Sequence, residues 1–470
     1  MFKKTNFMIL LSVISMTFMA TLDASIVNIA LPVLSNELNV TLSAVEWVVV
    51  SYSIVICGTI LFFGRLGDVL GKTRIFKIGT VIFTLASLLC GLSNSFYWLV
   101  FFRFVQGIGA SAYMANNHGI ITEFCAREKR GKALGILITS VAIGNMLGPS
   151  LGGILLSTLN WNSIFYINVP IGILVSILGV KYLPNSEIKQ EKIDYKGAIL
   201  QFLGTTLFFG SLTASQKFGL TNKFILMGII LSIIIICLFV LIEKKHSQPL
   251  LDMEIFKNWR FSSNLICAFV SFLCLAASYI LLPIYLQKTM GFSPVQAGLF
   301  IILSPLVLSF TAPLFGGLSD KVLPEKFILT GLLVLSGGFL LMSTLSPDSA
   351  YILCAMFIVI VALGQSSFQP ANNSLIMSSC PKNKLGIVGS INSLVRNLGQ
   401  IMGITFSTTL LYRFMSSNIG YRVYDYVENR HDIFIFGMSN VYKSLSFMCI
   451  LVALMVAFRL VRNFHHKYTK

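Results

Sequence analysis

Asp23 and Arg103 are the two residues whose type and position could carry chemistry. Each lies inside a long apolar run, where a charge is costly unless it faces a cavity or a partner. A carboxylate in an apolar site holds its proton more readily than in water, so it can load and unload one as access changes. Asp23 could therefore carry a proton or attract a cation, and Arg103 could tune it by moving near or away. The plainer alternative for both is a static ion pair. Arg396 lies in a similar run nearer the C-terminus.

Two glycine-rich segments offer moving parts rather than reactive ones. Gly64-Arg-Leu-Gly-Asp-Val-Leu-Gly-Lys-Thr-Arg74 joins two apolar runs with few residues to spare. Gly64, Gly67 and Gly71 permit a tight turn and close backbone approach. Asp68 stands among Arg65, Lys72 and Arg74, an arrangement that could make a latch in one state and break it in another. Gly144-Asn-Met-Leu-Gly148-Pro149-Ser-Leu-Gly152-Gly153 places glycines four apart, a smooth stripe for close helix contact. Pro149 removes one helical hydrogen bond and is expected to bend the backbone. Static packing is the competing reading of this segment.

Polar side chains inside apolar runs are candidates to line a cavity: Asn28, Asn116, Asn117, Gln365, Gln369, Asn372 and Asn373. Bonding between helices would explain them equally, and better for His118. Glu46 and Glu123 fall near run ends and are expected to be solvated. No GxxxxGK[ST] phosphate loop and no CxxC or Cys/His metal spacing is present, so neither ATP, a cofactor nor a metal is expected. No segment between runs is long enough for an enzyme domain; the longest external one spans about residues 414–442.

The elements that must position these residues are membrane helices. The chain of 470 residues is 55% hydrophobic and 11% charged, against about 25% charged in soluble domains. A helix needs about 20 apolar residues to cross the hydrocarbon core. Runs of that length predict fourteen helices, at 7–30, 45–63, 75–94, 97–123, 133–157, 164–183, 197–215, 224–242, 261–286, 296–318, 328–346, 350–377, 386–413 and 442–460. A barrel would show shorter, alternating segments.

The formal net charge of +17 fits a membrane rather than nucleic acid. Basic residues cluster on alternate connections, as in Arg65 to Lys77, Arg127 to Lys132 and Lys181 to Lys196, whereas 31–44, 94–97 and 158–163 carry none. The positive-inside rule then puts both termini in the cytoplasm of a cell membrane. Trp47, Trp98 and Trp161 fall at external helix ends, where indole rings prefer the headgroup level. None of the nine cysteines falls outside, so no disulfide is expected.

The sequence also resembles itself at a spacing of about 250 residues. Gly64 to Asp68 recurs as Gly316 to Asp320, Ser43 to Glu46 as Ser293 to Gln296, and Ala115-Asn-Asn117 as Ala371-Asn-Asn373. The chain therefore reads as two six-helix halves, 1–183 and 261–470, with two helices inserted at 184–260. In duplicated transporters the substrate site lies near the midplane between halves that rock around it.

Taken together, these segments resemble the major facilitator superfamily, and within it the fourteen-helix drug:proton antiporter branch. The match rests on Leu22 to Pro32, Gly64 to Arg74, Arg103-Phe-Val-Gln-Gly-Ile-Gly109, Gly144 to Gly153 and Trp161 to Gly172. The resemblance implies an all-α major facilitator fold. It implies Asp23 as membrane carboxylate, Arg103 as coupling arginine, Asp68 and Arg74 as gate latch, and Gly148 with Pro149 as hinge. It also implies a monomer that exchanges protons for a small amphiphile and is not an enzyme. Some exporters of multivalent cations in this branch carry a further acidic residue in the tenth helix. None precedes Asp320 here, so monovalent cationic, zwitterionic or neutral amphiphiles fit better. The alternatives are export of an endogenous lipid, amino acid or metabolite, a non-transporting membrane sensor, and a channel, which the duplicated gating motifs argue against.

Overall fold

The computed structural model describes all residues except 1–3, 41, 46, 185–192, 219–221, 245–248, 252, 293, 382–383, 422, 424–425, 428–429 and 469–470. Glu46 lies outside the described residues, and so does the side chain of Pro149. Among the described residues there are helices and connections and no strand.

The first long helices are α1 (Lys4–Glu37), α2 (Trp47–Leu70), α3 (Lys72–Leu92), α4 (Phe96–Phe124), α5 (Arg130–Thr158) and α6 (Asn168–Tyr182), the last led in by a single turn at Ser163–Tyr166. α7 (Tyr195–Phe218) and α8 (Lys223–Glu243) follow. The remainder are α9 (Trp259–Ile284), α10 (Pro294–Ser319), α11 (Pro324–Met342), α12 (Tyr351–Ser378), α13 (Leu385–Ile419) and α14 (His431–Tyr468). Local chemistry sets several ends. Gly71 has φ 99°, a left-handed conformation that turns the chain from α2 into α3. Asn222 accepts a hydrogen bond from Phe224 N at 2.9 Å and caps α8. Pro324 opens α11, where a missing N–H costs nothing.

Every expected run falls on one of these helices, but the count of fourteen crossings does not follow. Eleven spans among the described residues are long and apolar enough to cross a membrane. α4, α7 and α13 have the length and not the composition. Arg103, Gln106, Asn116, Asn117 and His118 dilute α4, and Asn392, Arg396, Asn397 and Gln400 dilute α13. The helices are also longer than the apolar runs: α14 starts at His431 rather than 442. Large apolar side chains stay exposed along these spans, including Leu92, Val180, Phe224, Phe310 and Phe458. So much exposed apolar surface fits lipid and not water.

The chain divides into two compact units. The first holds Met1–Ala126, Gly144–Asn258 and Met377–Leu394; the second holds Arg127–Ile143, Trp259–Ile376 and Val395–Lys470. Helices α5 and α13 are thus each shared between units. In the first unit α4 packs on α2 and α3, α6 on α1 and α3, and α7 on α2 and α8. Its core includes Leu22, Ile26, Val48, Leu99 and Phe165, so α1, α2, α4 and the α6 lead-in surround one apolar centre. In the second unit α14 packs on α9 and α11, around Cys274, Phe339, Tyr442 and Leu445.

Candidate functional site

Asp23 and Arg103 meet at the centre of the first unit. Arg103 Nη1 lies 2.6 Å from Asp23 Oδ2, and both side chains are fully buried. Two of the three guanidinium nitrogens are used. Nη1 also donates to Gln106 Oε1 at 2.6 Å, and Nε donates to the Val48 carbonyl at 2.9 Å. The Tyr52 ring covers the guanidinium carbon at 4.3 Å from its centroid. On the carboxylate side, Asn168 Nδ2 donates to Asp23 Oδ1 at 2.6 Å and Gln106 Nε2 donates at 3.3 Å. Gln106 also donates to Ser87 Oγ at 2.8 Å. The cluster therefore joins α1, α2, α3, α4 and α6. Arg103 Nη2 and Asn168 Oδ1 are buried with no hydrogen-bond partner among the described residues.

Such a cluster is costly to open, because removing one partner strands a buried charge. Gln106, Asn168, Ser87 and Tyr52 carry no role in the sequence reading. The signal was present in part, since Gln106 and Asn168 are polar residues within apolar stretches. Their partner could not be named, because Asp23 lies 83 and 145 residues away along the chain.

The glycine stripe of α5 serves the helix that carries Asp23. A Cβ on Gly144 would collide with Thr21 and with the Phe18 carbonyl, and one on Gly148 with Ser25. A Cβ on Gly152 would lie 3.3 Å from Ile26 Cγ2, and Ser25 Oγ donates to the Asn145 carbonyl at 3.4 Å. Three glycines thus press α5 onto the face of α1 that flanks Asp23. Gly153 does not join them, with nothing within 4 Å of its Cβ position.

Asp68 reaches the first turn of α13. It accepts hydrogen bonds from Gly386 N at 2.8 Å and Ile387 N at 2.9 Å, two of the N–H groups that a helix start leaves open. Gly64 and Gly386 make the approach possible, for a Cβ on Gly64 would lie 2.7 Å from the Gly386 carbonyl. The cation on Asp68 is Lys72, at 3.2 Å, and Lys72 also pairs with Glu123 at 3.1 Å. Arg74 was the expected latch partner, but it is exposed and Lys72 takes that place. Glu123 is exposed, as expected, and makes this pair from the surface.

The repeated segment makes the same contact in the second unit. Asp320 accepts from Gly131 N at 2.7 Å and Lys132 N at 3.1 Å, at the first turn of α5. Burial pushes the Asp320 carboxyl above the usual carboxylate range, and the two backbone N–H groups pull it back.

The polar candidates divide. Asn116 Nδ2 donates to the Ala112 and Phe63 carbonyls at 2.9 and 3.2 Å, and Asn117 Nδ2 to Thr17 Oγ1 at 2.8 Å. Asn372 Nδ2 donates to the Asn264 carbonyl at 3.1 Å. These three tie helices together. Gln365 Nε2 donates to Gln369 Oε1 at 3.3 Å within α12, and Asn373 is buried. Asn28 is exposed.

Comparison with known proteins agrees with this architecture. The family model for the Major Facilitator Superfamily matches residues 13–404. The chain is 36% identical to the riboflavin transporter RibZ of Clostridioides difficile (strain 630), over 88% of this chain and 90% of that one. It is 30% identical to the multidrug transporter protein MdtP of Bacillus subtilis (strain 168), over 83% of this chain and 72% of the other. Among solved structures, the proton:xylose symporter XylE superposes with a TM-score of 0.65 at 14% identity, over 96% of this chain and 94% of that one. That likeness is one of fold. A multi-pass helical membrane protein with this match along most of its length belongs to the Major Facilitator Superfamily of transporters.

Proposed function

We propose that the protein is a proton-coupled antiporter that exports amphiphilic compounds from the cytoplasm by alternating access. One observation carries the reading: the wholly buried Asp23, held by Arg103, Gln106 and Asn168. Protonation of Asp23 removes the charge that holds Arg103, and deprotonation restores it, so the cluster can couple proton occupancy to a change of state. The exporting direction is supported by relatives named as multidrug transporters. In this reading the halves 1–183 and 261–470 alternate, 184–260 is a linker pair, and α4, α7 and α13 complete fourteen crossings with both termini cytoplasmic. Asp68 and Asp320 act as twin latches on the first turns of α13 and α5, and Gly148 with Pro149 acts as hinge. The protein works as a monomer.

Asp23→Asn in proteoliposomes with an imposed pH gradient tests the coupling. Loss of uphill transport is expected; unchanged uphill transport would remove Asp23 from coupling.

A second reading has its own support. The relative named as a riboflavin transporter covers nearly its full length. A flat aromatic metabolite of that kind is the endogenous-substrate alternative, with drug export incidental. Riboflavin exchange in proteoliposomes, set against a panel of cationic dyes, separates the two.

A further inference from the structure

Arg396 lies about three turns in from Leu385, the nearer end of α13. That depth is too great for its side chain to reach the headgroup level. Its guanidinium carbon lies 5.9 Å from the centroid of the Phe272 ring on α9, and its side chain is half-buried. Among the described residues it makes no hydrogen bond and no ion pair. Among the described residues the second unit has no carboxylate to offer at that depth. Asp320 is taken by the first turn of α5, Glu325 by Arg260 and Asp432 by Arg430, all at helix ends. Ser393 and Gln400 stand at i−3 and i+4 from Arg396 and share its helix face. Met402, an exposed apolar residue, lies on another face.

An uncompensated cation at that depth is costly, and side chains of this kind face a cavity or wait for a partner. A guanidinium with free N–H groups suits carboxylate or phosphate, which it can grip with two parallel hydrogen bonds. We infer that Arg396, backed by Phe272, anchors a carboxylate or phosphate group of the transported amphiphile. The inference rests on the transporter reading above and sets anionic or zwitterionic compounds in place of the cationic or neutral amphiphiles expected from the sequence. Asp23 does not compete as a cation site in this state, because its oxygens are filled by Arg103, Gln106 and Asn168.

The test uses matched probes that differ only in charge: riboflavin 5′-phosphate with riboflavin, and 1-naphthylacetate with 1-naphthylacetamide. Binding to the purified full chain in zwitterionic nanodiscs is read by thermal stabilisation. In at least one pair the anion binds about tenfold more tightly than its neutral partner, the scale of one hydrogen bond to a charged group. R396Q brings the pair to parity, and R396K, which keeps the charge but not the paired hydrogen bonds, keeps only part of the preference, a graded response that a merely structural arginine would not give. Equal binding within both pairs, or a preference that survives R396Q, would overturn the assignment. So would phosphatidylglycerol in the nanodisc displacing the anionic probe from the wild type but not from R396Q, which would give the site to lipid. Transport of the same probes under a proton gradient keeps the two claims apart. A charge preference without proton drive defeats only the antiporter reading, and proton drive without charge preference defeats only this one.

Discussion

Arg103 and Arg396 are both arginines deep in polar helices, and they have opposite surroundings. Arg103 is sealed: a carboxylate, an amide, a backbone carbonyl and a tyrosine ring use its face and most of its donors. Arg396 is half-buried beside one aromatic ring and has no hydrogen-bond or ion-pair partner among the described residues. Burial with most of its partners in place makes a charge part of the fold, whose cost is largely met within the first unit. Burial without them leaves binding capacity for something that comes and goes. The same residue type at similar depth thus serves two ends, and the neighbours decide which.

The largest effect should come from breaking the sealed pair. Arg103→Gln strands the Asp23 carboxylate and is expected to destabilise the protein by about 3–5 kcal/mol. The melting temperature of purified protein checks this. The contrast recurs on a smaller scale along α5. Gly148→Ala drives a methyl into Ser25 and should cost about 1–3 kcal/mol, whereas Gly153→Ala meets open space and should change stability by under about 0.5 kcal/mol. Denaturation of the two variants side by side would show a clear gap; equal values would mean that the stripe is not a tight contact.

The twin caps extend the comparison. The Asp68 side chain is fully buried on the first turn of α13, and that of Asp320 is half-buried on α5. Loss of a helix cap costs about 0.5–2 kcal/mol. Asp68→Asn should fall at the upper end and Asp320→Asn at the lower, with faster hydrogen exchange at Gly386 and Ile387 in the first and at Gly131 and Lys132 in the second. The smallest change in stability should be that of Arg396→Gln, within about 0.5 kcal/mol, because no described partner is stranded. A loss as large as that of Arg103→Gln would show that Arg396 is also part of the fold.

The sequence made some of this legible. Apolar runs located the helices, since length and composition alone decide what can lie in lipid. Asp23 and Arg103 stood out because a charge in such a run demands a reason. The repeat from Gly64 to Asp68 and from Gly316 to Asp320 pointed to two equivalent contacts. Three things were hidden. The partners Gln106 and Asn168 lie far along the chain from Asp23, beyond the reach of helical periodicity. Lys72 rather than Arg74 holds Asp68 because the turn at Gly71 sends residue 74 outward, a matter of backbone direction. The aspartates bind backbone N–H groups at helix starts more than 180 residues away, and backbone groups leave no mark in the residue pattern.

The central claim is that Asp23 couples proton flow to transport. It is tested most directly by reconstituting the wild type and Asp23→Asn and following one transported probe in two modes, uphill transport driven by an imposed pH gradient and exchange at equal pH. The account predicts that Asp23→Asn loses gradient-driven accumulation and keeps exchange. Gradient-driven accumulation by Asp23→Asn equal to that of the wild type would contradict it.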